Sequence, residues 1–203
     1  MNYYTSIGTV MEEIARYGDN YIIVSEGSNT MDIGRTILQN TKPLQRLDAG
    51  TFGTMGVGFG FAIAAQHLNP DKKVVMVVGD SAFGFSGMEL ETAARYRLPI
   101  KVVIINNNGI VVGAEEIEKD QTPLDISPMA LSPWAKYEQI GIALGGKGRA
   151  VANQADLRSA MKEMLADDNM WVINCAINPI AGKKAQSFTW LTTSDEKKPE
   201  PKL

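Results

Sequence analysis

The sequence predicts an α/β fold, an open and mostly parallel sheet with helices on both faces. Three observations predict it. Helical and strand-like patterns alternate along almost the whole chain, as they do when helices cover a parallel sheet. The strand candidates are continuous apolar runs rather than alternating ones, which suits strands buried on both faces. Residues 73–105 also read as strand, helix and strand with the length of a crossover unit, the right-handed connection that joins parallel strands.

The elements follow in order. Ile7, Val10, Met11 and Ile14 stand at helical spacing, with Gly18 as a C-cap. Residues 21–24 form an apolar strand that ends in the polar turn 25–29, and a short helix is expected over 31–38. Residues 48–60 contain Gly50, Gly53, Gly56, Gly58 and Gly60, a density that permits close backbone approach, and lead into a helix ending near Leu68. A second strand is expected over 73–78, a helix over 87–96, and a third strand over 100–105 that runs into Asn106-Asn107-Asn108-Gly109. Three prolines keep 115–133 irregular. Helices are then expected over 134–144 and 154–165, and a last strand over 171–177. Residues 1–192 are expected to be one domain, with Phe188 and Trp190 as an aromatic anchor near its end; charge and proline predict a disordered polar tail over 193–203.

Composition bounds the function. The chain has 203 residues, 44% hydrophobic and 21% charged, which suits one soluble domain. Its net charge is −3 and no basic cluster supplies a nucleic-acid footprint. One cysteine and one histidine exclude a disulfide framework and a zinc site built from this chain alone. The apolar stretch 57–65 falls far short of the roughly 20 residues of a membrane span. The first residues lack the pattern of a secretory signal, so an intracellular, reducing compartment is expected.

In an open parallel sheet, ligands bind beyond the carboxyl ends of the strands. Two turns there draw attention: Gly79-Asp80-Ser81-Ala82-Phe83-Gly84, and Asn106 to Gly109. Asp80 and Asn107 lie 27 residues apart, one crossover unit, which can set a carboxylate beside an amide oxygen. Magnesium prefers oxygen ligands, keeping one or two protein groups and filling its shell with phosphate oxygens. Backbone amides around Ser81 and Ala82 would face those phosphates, so the pair of turns describes a magnesium-diphosphate site. Ser28 and Asn29, in the turn after the first strand, could donate to a second phosphate, although both are also ordinary helix N-caps. Asn-Gly between apolar flanks is equally a β-hairpin signal, and Gly-Asp a common turn dipeptide.

Other signals are discounted. Gly141 to Lys147 matches phosphate-loop spacing, but Gly148 stands where Ser or Thr is required and the segment follows a helix. Gly56-Val57-Gly58-Phe59-Gly60 lacks the dinucleotide fingerprint and serves helix packing. His67 is read as a surface or satisfied histidine and Cys175 as a small buried hydrophobe.

Gly79-Asp80-Ser81 followed by Asn106-Asn107 resembles the cofactor signature of thiamine-diphosphate-dependent enzymes, usually written GDG and NN. The stretches 25–34, 47–56 and 79–89 look like the 2-hydroxyacyl-CoA lyase and oxalyl-CoA decarboxylase branch, which carries GDS; Lys184 to Leu191 is more similar to the lyases. The resemblance covers about residues 3–192 and implies a C-terminal, thiamine-diphosphate-binding domain. By that resemblance Asp80, Asn107 and the Gly109 carbonyl hold magnesium, while Ser28, Asn29, Ser81 and Ala82 surround the diphosphate. Gly53 and Met55 serve the pyrimidine ring, Met55 as the apolar wedge that bends the cofactor; Thr54, Gly79 and Ile110 complete the cofactor set. The cofactor acts as nucleophile and electron sink, cleaving a 2-hydroxyacyl-CoA to formyl-CoA and an aldehyde. No catalytic residue is assigned within the chain, because the family's activating glutamate comes from an N-terminal domain that nothing here matches. The chain alone is therefore expected to be inactive, as a fragment or subunit, with the N-terminal and middle domains and an acyl-CoA as partners and a homo-oligomer as the complete form. An oxalyl-CoA decarboxylase domain and a non-catalytic assembly module are the alternatives. Val111 departs from the family, which commonly has tyrosine there. Phe52 and Phe59 suit either a subunit contact or buried packing. Pro201-Lys202-Leu203 differs at one position from a peroxisomal address, so the expected location is peroxisomal, otherwise cytoplasmic.

Overall fold

In a computed structural model, which describes residues 1–111, 113, 121, 122 and 124–182, six parallel strands make one sheet. The strands are β1 (Tyr21–Glu26), β2 (Arg46–Asp48), β3 (Lys73–Gly79), β4 (Lys101–Asn106), β5 (Lys147–Val151) and β6 (Trp171–Ala176). Their spatial order is β2-β1-β3-β4-β6-β5, and each neighbouring pair is parallel. The four central strands are the apolar runs of the sequence, because only strands covered on both faces place Val, Ile and Met at consecutive positions.

Side chains alternate across the sheet and so build two cores. On one face Ile23, Val75, Val77, Val103 and Ile173 meet the helices α1 (Tyr3–Ile14), α2 (Ser28–Ile37) and α7 (Gln154–Ala166). On the other, Val24, Met76, Val78, Ile104 and Val172 meet α3 (Gly58–Leu68), α4 (Asp80–Ser86), α5 (Leu90–Arg95) and α6 (Tyr137–Ala143). α1 starts where Asn2 and Thr5 cap one another, the Thr5 amide donating to the Asn2 side chain and the Asn2 amide to the Thr5 hydroxyl.

The structure corrects several expectations. β2 and β5 are edge strands absent from the sequence reading; Arg46-Leu47-Asp48 and Lys147 to Val151 carry no apolar run, and pairing with β1 and β6 makes them strands. The helix expected over 87–96 begins earlier, at Asp80, and is interrupted by a 3₁₀ turn at Gly87–Glu89 before α5. The helix expected from 134 starts at Tyr137, and that expected from 31 starts at Ser28. Gly18 does end a helical segment, with a φ of 59°.

The hairpin reading of Asn106 to Gly109 fails, since β4 lies inside the parallel sheet. The segment of phosphate-loop spacing passes from α6 into β5, where Gly141 packs against Val172 and Gly146 against Met170. Phe59 is wholly buried, whereas Phe52 is 94% exposed. His67 lies exposed in the last turn of α3. Cys175 is buried, and burial pushes its thiol up to about 12. No helix among the described residues is long and apolar enough to cross a membrane. The boundary at 192, the aromatic anchor, Lys184 to Leu191 and the last three residues lie outside the described residues.

Candidate functional site

The chain runs from β1 outward to β2 and then returns past β1 to β3, so the strand order reverses between β1 and β3. At such a switch point the connections leave the carboxyl ends in opposite directions and open a crevice. α2 begins there directly after β1 and α4 directly after β3. Neither helix has a side-chain N-cap. Two helix amino ends therefore meet at one place, which favours an anion. Gly27 makes the approach possible: its φ is 96°, and a Cβ there would stand 3.1 Å from the Gly79 amide nitrogen and 3.4 Å from Ala82 Cβ.

Asp80 is 2% exposed at the start of α4. Its Oδ1 accepts the Ser81 amide at 2.8 Å and its Oδ2 the Gly109 amide at 3.1 Å. Burial pushes the carboxyl up to about 6, while backbone amides of Ser81, Gly109, Asn108 and Asn107 pull the other way. No ion pair reaches it among the described residues. A buried carboxylate without a cationic partner is the donor a divalent ion would neutralise. Among the described residues no cluster of three acidic, histidine or cysteine side chains forms a metal cage. A single carboxylate with amide and main-chain oxygens fits magnesium that keeps phosphate ligands.

The turn after β4 brings the remaining groups. Asn107 is buried and its Nδ2 donates to the Val111 carbonyl at 3.3 Å; Asn29 Nδ2 donates to the same carbonyl at 3.0 Å. One oxygen thus ties α2 to the turn. Asn108 has a φ of 59° and Val111 a φ of 70°, a strained value for a β-branched residue. The turn is held against 129–131 by a bridge between Gly109 and Ala130, by the Ile110 amide on the Met129 carbonyl at 2.8 Å, and by the Leu131 amide on the Asn108 carbonyl at 2.9 Å. Beside Asp80 lies a cavity of about 340 Å³ bounded by Ser81, Phe85, Ile110, Leu131 and Tyr137, polar at the Asp80 end and apolar elsewhere. A hollow of about 430 Å³ at the amino ends of β4 and β6, by Leu98 and Met170, is larger but stands away from every strand-end turn.

The expected site residues fall into two groups. Ser28 and Asn29, Gly79 to Ala82, and Asn107, Gly109 and Ile110 converge at the carboxyl ends of β1, β3 and β4. Ser28 and Asn29 open α2 rather than cap it. Gly53, Thr54 and Met55 come from the glycine-rich loop between β2 and α3; Met55 is half-buried against the core that contains Ala82 and Phe83. The loop is anchored by a residue the sequence reading left unused. Glu26 accepts the Gly58 amide at 3.0 Å on Oε2 and the Gly56 amide on Oε1. Burial raises the Glu26 carboxyl above its ordinary value, opposed by the amides of Gly56, Gly58 and Val57. The loop also rests on α4: a Cβ on Gly56 would lie 3.3 Å from Phe85 Cβ. A single acidic residue at a strand end was the available sign of Glu26; nothing local marked the Val111 carbonyl.

Residues 25–175 match the family described as thiamine pyrophosphate enzyme, C-terminal TPP binding domain. The chain is 48% identical over 206 residues to human 2-hydroxyacyl-CoA lyase 1, covering 96% of this chain and 35% of that protein. It is 39% identical over 192 residues to oxalyl-CoA decarboxylase of Escherichia coli K12, covering 94% of this chain and 33% of that one. Among solved structures, the thiamine diphosphate-dependent 4-hydroxybenzoylformate decarboxylase of Rhodococcus jostii RHA1 superposes with a TM-score of 0.67 at 25% identity, over 84% of this chain and 32% of the other. The chain spans about a third of the length of the curated relatives it matches.

Proposed function

The chain belongs to the thiamine pyrophosphate enzyme C-terminal domain family, and on that premise we propose that it is the cofactor-binding domain of a 2-hydroxyacyl-CoA lyase. The observation that carries the reading is the uncompensated Asp80 carboxylate at the β1–β3 switch point, flanked by two uncapped helix starts. The higher identity to the human lyase than to the bacterial decarboxylase favours the lyase.

In this reading Asp80, Asn107 and the Gly109 carbonyl hold magnesium. Ser28, Asn29, Gly79, Ser81 and Ala82 receive the diphosphate, where the amino ends of α2 and α4 supply donors, the Ser81 amide being one that Asp80 Oδ1 also accepts. Gly53, Thr54 and Met55 take the pyrimidine side, on a loop that Glu26 holds, and Ile110 lines the cavity. Bound thiamine diphosphate supplies a nucleophilic carbon and an electron sink. The chain's own part is to bind, to orient, and to keep water out with Phe85, Leu131 and Ile110. The activating carboxylate, the acyl-CoA contacts and the middle domain come from outside this chain, in a homo-oligomer acting in the peroxisome.

The test measures formyl-CoA and aldehyde formed from a long-chain 2-hydroxyacyl-CoA, with magnesium and thiamine diphosphate present. We expect no turnover by the chain alone and turnover once the N-terminal and middle domains are added. Turnover without them overturns the division of labour. Preference for oxalyl-CoA in the reconstituted enzyme favours the decarboxylase reading instead.

A further inference from the structure

Three buried polar side chains lie behind the metal turn, and none of them lines the cavity: Asn106 at the end of β4, Asn174 in β6 and Glu138 in α6. They form one chain of hydrogen bonds. The Asn108 amide donates to Asn106 Oδ1 at 3.0 Å, Asn106 Nδ2 to Asn174 Oδ1 at 3.0 Å, and Asn174 Nδ2 to Glu138 Oε2 at 2.9 Å. Asn174 Nδ2 also reaches the Ala135 carbonyl at 3.5 Å. The register explains how they meet: Asn174 pairs with Ile104 and Ala176 with Asn106, so both carboxamides point to the face that α6 covers.

We propose that Glu138, Asn174 and Asn106 are positioning residues that set Asn108, and through it the magnesium-holding turn from Asn107 to Gly109; the inference rests on the reading given under the proposed function. The direction of the chain is fixed at both ends. A backbone N–H can only donate and Glu138 Oε2 accepts, so each carboxamide between them has a single orientation. Asn108 needs such a hold, because its φ of 59° is left-handed and it separates Asn107 from Gly109. Packing does not call for these groups. Their neighbours Ile104, Val172 and Ile140 are apolar, and an apolar set in their place would avoid burying a carboxylate and two amides.

The test uses the 203-residue chain and four variants: Asn174→Leu, Glu138→Leu, Glu138→Gln, and Leu157→Ala in the opposite core as a control. Two quantities are read: amide exchange at residues 108–110 in metal-free protein, and manganese(II) binding in the presence of thiamine diphosphate by electron paramagnetic resonance. For Asn174→Leu we expect exchange at Asn108 to rise and manganese affinity to fall, each by about 10- to 100-fold, as for other residues that orient metal ligands. Glu138→Leu carries the same expectation from the far end, and stands in if Asn174→Leu does not fold. Glu138→Gln keeps an acceptor and stays within about threefold of the parent. Leu157→Ala melts at a lower temperature yet leaves both readouts in place. The proposal is overturned if the Leu variants leave exchange at Asn108 unchanged, or if Leu157→Ala moves both quantities as far. A parent chain that binds no manganese with thiamine diphosphate refutes the cofactor reading instead, and the exchange at Asn108 then decides the relay by itself.

Discussion

The Asp80 carboxylate accepts the Gly109 amide at 3.1 Å, a contact between residues 29 apart in the chain. It joins the turns that leave β3 and β4, the two strands of a single crossover unit, at their carboxyl ends. The same carboxylate has no cation beside it among the described residues, so the bond to Gly109 orients a charge that the protein alone does not neutralise.

That charge makes stability depend on pH, and with it the magnesium binding proposed for Asp80. Burial holds Asp80 at about 6 against an ordinary 3.8, so the folded chain binds this proton more tightly than the unfolded chain. The stabilisation is complete below about pH 4, is lost as the pH rises through about 6, and is on the order of 2–3 kcal/mol. Urea unfolding of the parent and Asp80→Asn between pH 4 and 8 is expected to show the variant gaining on the parent as pH rises. A constant difference across that range refutes the assignment. In the proposed site magnesium displaces the same proton, so its affinity in the presence of thiamine diphosphate is expected to fall about tenfold per pH unit below 6 in the parent.

Gly27→Ala forces a side chain into a φ of 96° and against the Gly79 amide nitrogen. The expected cost is about 1–3 kcal/mol in chemical denaturation, since both strain and crowding oppose the new methyl group. A loss below about 0.5 kcal/mol, the usual range of neutral surface changes, would mean that the two helix starts are free to move apart.

Neighbouring Ser25 and Glu26 point to opposite faces and should respond in opposite ways. Glu26→Gln offers one acceptor and one amino group to the Gly56 and Gly58 amides, leaving one of them facing a donor. We expect a loss of about 1–3 kcal/mol and faster proteolysis between residues 53 and 58. Ser25 Oγ is buried without a partner among the described residues, so Ser25→Ala is expected to be neutral or stabilising. Equal losses for the two variants would show that Glu26 does no more than fill space.

Much of this was legible in the chain. The central strands announce themselves because a strand buried on both faces is apolar at consecutive positions, and residues 74–78 and 102–105 are so in sequence alone. That Asp80 and Asn107 lie at the same end of the sheet followed from one spacing, since a crossover unit returns the chain to that end. β2 and β5 escaped notice because neither carries an apolar run, β2 being Arg46-Leu47-Asp48 and β5 opening on Lys147-Gly148-Arg149; their strand character comes from β1 and β6. The start of α4 at Asp80 was missed for a similar reason: Gly84 and Gly87 interrupt the helical pattern, and Phe83 packing against Phe59 and Tyr137 compensates.

By itself the sequence determined the class of fold, the order of its central elements and the two turns that leave β3 and β4 at one end of the sheet, because apolar periodicity and crossover length are written in residues near one another along the chain. Only the tertiary structure decided that Gly27 meets Gly79, that Glu26 holds the glycine-rich loop, that the Val111 carbonyl ties Asn29 to Asn107, and that Asn174 and Glu138 stand behind Asn108. Those contacts depend on strand order and register, which follow from how the two cores close and not from any local run of residues.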